Sequence, residues 1–145
     1  MTTFSLLKLF HTFGFVSWFV GLLGTTAAQV ATRKVQGREG RLAAWSVTRR
    51  LEPFEWIGLA VTPLTGIALA VVGGMFKLGF VHAKLALVLI AVFFNLMTIA
   101  MRRKVGMQLE GEGADVSAGM KRLAMFQGIA TLMLPLAVLA VYFLR

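Results

Sequence analysis

The chain has 145 residues, 58% of them hydrophobic, with a mean hydropathy of +0.80 and a formal net charge of +9. That apolar share is well above the roughly one half of a soluble domain. The absence of cysteine excludes disulfide frameworks, iron–sulfur clusters, thiolate zinc sites and cysteine nucleophiles. The basic residues lie between apolar segments and do not interleave with aromatics, so they read as orientation in a bilayer and not as a nucleic-acid surface.

A membrane helix needs about 20 mainly apolar residues, and the first such stretch runs from about residue 4 to 28. Its first seven residues carry no positive side chain and Lys8 falls late, so it reads as a retained helix and not as a cleaved signal peptide. Lys8, His11, Gly14, Trp18, Gly21 and Thr25 recur three or four residues apart and share one face. Small residues at that spacing admit either a neighbouring backbone or a flat ligand. The following segment, about 29–53, is basic and contains Trp45. It reads as a loop carrying a short interfacial helix, or as an extension of the neighbouring helices beyond the bilayer.

The second stretch, about 54–76, sets Glu55, Thr62, Gly66 and Gly73 along one line, with Pro63 expected to kink it. Only 77–79 separate it from the third stretch, about 79–101, so these two form an antiparallel helical hairpin. The third carries a stripe of Lys84, Val88, Ala91, Asn95, Thr98 and Arg102, and polar stripes in membrane helices face the bundle interior. A second basic loop, about 102–122, includes an acidic turn at Glu110, Gly111, Glu112, Gly113 and Asp115 that reads as a solvated linker. The fourth stretch, about 123–144, offers Gln127, Thr131 and Pro135.

The expected fold is therefore all-α: a polytopic membrane protein with a single domain over 1–145, built as a four-transmembrane-helix bundle. Arg33, Lys34, Arg38, Arg41, Arg49, Arg50, Arg102, Arg103, Lys104, Lys121 and Arg122 crowd the two loops on one side. The other side has Lys8, Lys77 and Arg145. The positive-inside rule then puts both termini on the non-cytoplasmic side.

The chain's two histidines, His11 and His82, both fall near the outer ends of parallel spans. An ionisable group inside a span is a functional hypothesis by default. At about 1.5 Å per residue, they lie roughly 10 Å and 5 Å below the outer boundary. Two imidazoles at compatible depth suit the axial positions of a haem iron, or a copper ion. A haem would find room on the glycine-rich face of the first helix, with Gly14 and Trp18 beside it and Lys8, Lys77 or Lys84 pairing with propionates. His82 and Lys84 are about 200 degrees apart around a helix of 3.6 residues per turn, so only one of them faces the interior. With Lys84 snorkelling to the outer interface, the inward residue is expected to be His82. A purely structural role for both histidines is the remaining alternative.

The run Leu6-Leu7-Lys8-Leu9-Phe10-His11, followed by Trp18 and Gly21, resembles the first helix of the HemJ and CopD superfamily of small bacterial membrane proteins. Phe80-Val81-His82-Ala83-Lys84-Leu85 resembles that family's third-helix start, and Arg49-Arg50-Leu51 with Pro63 and Gly66 its second-helix region. HemJ proteins are implicated in oxidising protoporphyrinogen and bind haem b, and CopD proteins are associated with copper uptake. The resemblance implies that His11 and His82 are the haem-site histidines and that Lys84 accompanies them. Where a HemJ-like chain has a proline, arginine and histidine late in helix one, this chain has Thr25-Thr26-Ala27-Ala28-Gln29. In place of a Tyr-His pair late in helix three it has Phe94-Asn95.

The expectation is a haem b-binding redox protein of the bacterial cytoplasmic membrane, serving electron transfer or an oxidase step of tetrapyrrole metabolism. Its partners would be lipid, haem and either further copies of itself or a larger membrane complex, and not nucleic acid. Copper handling and an accessory-subunit role are the alternatives. No general base is identifiable, because Glu52 and Glu55 lie at the opposite end from the histidines.

Overall fold

The computed structural model describes residues 2–111 and 116–143, without the side chains of 141 and 142. These residues form four helices: α1 (Thr3–Lys34), α2 (Arg38–Val72), α3 (Gly79–Glu110) and α4 (Ser117–Phe143). All four are long and apolar enough to cross a membrane. The protein is a multi-pass membrane protein with the expected helical core. α1 packs chiefly on α2 and α3 on α4, with looser contacts between the two pairs. The antiparallel course gathers the described start of α1, the α2–α3 turn and the end of α4 at one end of the bundle, the terminal end. The α1–α2 and α3–α4 connections lie at the other, the basic end.

The helices run well past the apolar segments, because the basic segments expected as loops are largely helical. α1, α2 and α3 have 32, 35 and 32 residues, about 50 Å each against a hydrocarbon layer of about 30 Å. Only residues 35–37 link α1 to α2, where Gly37 adopts a positive φ of 79° that an ordinary side chain resists. Of the expected acidic turn, Glu110 ends α3; Glu112, Gly113 and Asp115 lie outside the described residues, as does Arg145. The surplus length has its own core. Trp45, Val105, Leu109, Val116, Met120 and Leu123 pack together at the basic end. Trp45 is thus buried at 2% exposure between helices, not laid on a membrane surface as an interfacial helix would place it. Extension of the neighbouring helices is the form the chain adopts.

At the terminal end, Gly73, Gly74 and a single 3-10 turn at Met75–Lys77 close the hairpin. Gly74 is left-handed at φ 61°. Around the bundle, leucine, valine, isoleucine and phenylalanine side chains such as Phe13, Leu64, Leu89, Phe93 and Leu132 are exposed. That is the reverse of a soluble helix and what a lipid-facing surface requires.

Within the bundle, the contact between α1 and α2 is nearly backbone to backbone. A Cβ at Gly58 would fall on the Trp18 backbone, and one at Gly21 would sit 2.7 Å from the Glu55 nitrogen. In lipid there is no hydrophobic drive to join two helices, so close packing of small residues supplies the attraction. The glycine face of α1 is therefore filled by α2: Gly14 faces Val61 and Thr62, and Gly21 faces Glu55. It leaves no room there for a macrocycle, which corrects the expectation for Gly14.

Candidate functional site

Two polar regions lie inside the bundle. The first is a cavity of about 180 Å³ in the terminal half, lined by His11 and Phe15 of α1, Thr62 of α2, Lys84 and Val88 of α3, and Leu134 of α4. His11 is held in a defined pose. Its Nδ1 is 3.0 Å from the Thr62 carbonyl and 3.2 Å from Thr65 Oγ1. A carbonyl can only accept, so Nδ1 carries a proton, and in the neutral imidazole Nε2 is left with the lone pair. A backbone carbonyl on Nδ1 is the support that orients and strengthens a metal-binding imidazole. Thr65 itself donates to the Val61 carbonyl at 2.5 Å, fixing its oxygen beside the ring. Gly66 provides the recess: a Cβ there would lie 3.0 Å from His11 Cε1.

The structure reverses the expectation for the third helix. Lys84 lines the cavity with His11, and His82 is exposed and takes no part in it. The reason is register. Lys84 begins the stripe that continues through the buried residues Val88, Ala91, Asn95, Thr98 and Arg102, and His82, two residues earlier, is turned away by the helical repeat. His11 and His82 therefore do not converge as two ligands on one group within this chain. Lys8 is exposed, with its ammonium 5.6 Å from the Phe4 ring centroid.

The second region is fully buried and joins all four helices. Glu55 and Arg102 form an ion pair at 0% and 2% side-chain exposure. The other Glu55 oxygen accepts from Thr25 at 2.5 Å. With its amide oriented to suit its neighbours, Asn95 donates to Glu55 Oε2 at 2.9 Å and accepts from Trp18 Nε1 at 2.8 Å. Gln127 donates to Thr25 Oγ1 at 2.6 Å and to the Leu22 carbonyl at 3.0 Å, and accepts from Gln29 at 2.6 Å. Trp18 is thus a core residue tied to Asn95, and not the wall of a cofactor site. The Glu55 carboxylate is satisfied on both oxygens, by Arg102, Asn95 and Thr25, whereas Arg102 uses only Nη2 in the pair and its Nε and Nη1 have no partner.

Among the described residues, no group of three or more His, Cys, Asp or Glu side chains converges as a metal site. The cavity offers one imidazole nitrogen and one ammonium. That donor set fits a group that takes a single histidine and carries an anionic substituent. It does not fit a bis-histidine haem within one chain, or a copper ion enclosed by several protein ligands. No family model, curated protein or solved structure matches this chain.

Proposed function

We propose that this chain is a cytoplasmic-membrane redox protein that holds a haem b-type tetrapyrrole in its terminal-half cavity, with its basic end toward the cytoplasm. The observation that carries the reading is His11. Its Nδ1 is committed to the Thr62 carbonyl and its ring is seated against Gly66, which leaves Nε2 available in an apolar cavity. His11 would bind the iron, and Thr62 and Thr65 orient the ring. Lys84 would pair with a propionate, since a partly buried carboxylate requires a cation. Phe15, Val88 and Leu134 exclude water. When bound, such a group supplies one-electron chemistry.

At about 180 Å³ the cavity is smaller than the roughly 300–1,000 Å³ of enclosed small-molecule sites. One chain would enclose only part of a macrocycle, so the proposal requires a further copy or a partner subunit against the open side of the cavity. The orientation rests on charge. Arg33, Lys34, Arg38, Arg41, Arg49, Arg50, Arg103 and Lys104 remain at the basic end even after Arg102 is set aside as the buried partner of Glu55.

The visible spectrum of the purified protein tests the reading. A Soret band with sharp α and β bands on reduction is expected. A protein that stays colourless after incubation with haem, or that carries stoichiometric copper instead, would overturn it.

A further inference from the structure

A second cavity, about 250 Å³, opens at the basic end between α2 and α3. Its walls include Trp45, Thr48, Arg49 and Glu52 from α2, and Arg102, Arg103 and Glu110 from α3. Two of the lining residues carry buried polar atoms with no hydrogen-bond partner: Thr48 Oγ1, Arg102 Nε and Arg102 Nη1. Their residues are 1% and 2% exposed. Buried donors without acceptors are costly and call for an explanation.

The two guanidinium nitrogens can only donate, so what they lack is an acceptor, and the Thr48 hydroxyl is able to donate to the same one. The two nearby carboxylates do not supply one. Glu110 accepts from Arg49 at 2.6 Å, and Glu52 accepts from Trp56 Nε1 at 3.3 Å. Arg102 gives its remaining nitrogen, Nη2, to Glu55. A guanidinium with free N–H groups, a hydroxyl beside it and the exposed Arg103 at the rim form a receptor for an oxyanion with several lone pairs.

We propose that this cavity binds a phosphate group, seated on Arg102 and Thr48 and covered by Arg103. Glu52 and Glu110 in the wall disfavour a doubly charged anion and favour the single charge of a phosphodiester. The cavity adjoins the inner ends of the apolar segments, since 45–52 precede the second and 102–110 follow the third. That is the headgroup level of a bilayer. A phospholipid headgroup and a soluble phosphate compound share this chemistry.

The test uses the full-length protein, exchanged into neutral detergent and titrated separately with inorganic phosphate and with a short-chain phosphatidylglycerol. Binding is read by native mass spectrometry. Arg102 is left intact because its loss would also break the Glu55 pair, and the variants are Thr48→Val and Arg103→Gln. One equivalent bound by the wild type is expected, with affinity about tenfold weaker in each variant at unchanged helicity. Saturation by the lipid alone assigns the site to the membrane, and saturation by inorganic phosphate as well assigns it to a free anion. Binding of neither, or binding unaltered in both variants, would overturn the proposal.

Discussion

The two halves of the bundle interior treat their polar residues in opposite ways. At mid-bundle toward the basic end, Glu55, Arg102, Asn95, Thr25 and Gln127 are at most 2% exposed and bonded to one another across four helices. In the terminal half, His11 and Lys84 are half-buried around a cavity, and the imidazole has one nitrogen fixed and one free. A network that ties all four helices together marks a scaffold, even with Arg102 Nε and Nη1 left unpartnered, while a fixed group with a spare lone pair is what the proposed haem site requires. On that proposal, stability rests mainly on the first region and tetrapyrrole binding on the second.

The largest expected effect falls on the scaffold. Arg102→Met leaves Glu55 buried without its cation and should cost about 3–5 kcal/mol, read as a lowered unfolding midpoint in detergent. The double variant Glu55→Gln, Arg102→Met removes both charges and should recover most of that loss. If the double variant is no more stable than the single one, the pair is not the source of the effect.

Close packing comes next. Gly58→Ala pushes a methyl onto the Trp18 backbone, and overpacking of that kind costs about 1–3 kcal/mol. Thermal unfolding of this variant beside Gly128→Ala sharpens the comparison. Gly128 is exposed on α4 and has open space where its Cβ would stand. Alanine there should be neutral, or stabilising by about 0.5–1 kcal/mol.

Of the destabilising changes, the smallest is expected at the cavity. His11→Ala removes a half-buried ring with contacts to Thr62 and Thr65 and should cost about 1 kcal/mol while abolishing tetrapyrrole binding. A variant that unfolds as readily as Arg102→Met would place His11 in the scaffold instead.

Much of this was legible in the sequence. The stripe Lys84, Val88, Ala91, Asn95, Thr98, Arg102 is a run of three- and four-residue steps, and the structure turns every member inward. The same is true of Gly14, Trp18, Gly21 and Thr25 on α1. What misled was treating residues one class at a time. Arg102 looks like a loop charge when cations are counted, although it completes the stripe, and its partner Glu55 begins the corresponding line on α2. Likewise, the pairing of two rare histidines set their scarcity above helical phase, which had already put Lys84 and not His82 on the inward face.

The ends of the helices were less readable. Apolar length marks where a span meets the membrane boundary, but a helix continues beyond it wherever side chains such as Trp45, Val105, Leu109 and Leu123 find one another. That pairing is tertiary, and no local pattern displays it. The glycines of α1 show the same limit: small residues at helical spacing serve a ligand or a neighbouring backbone equally well, and only the position of α2 decides between them.

On the proposed function, one histidine, His11, and not the pair, would hold a haem. Reduced absorption spectra of haem-loaded wild type, His11→Ala and His82→Ala, recorded side by side, test it most directly. His82→Ala should match the wild type and His11→Ala should lose its Soret band. Loss of the band in His82→Ala, or its survival in His11→Ala, would contradict it.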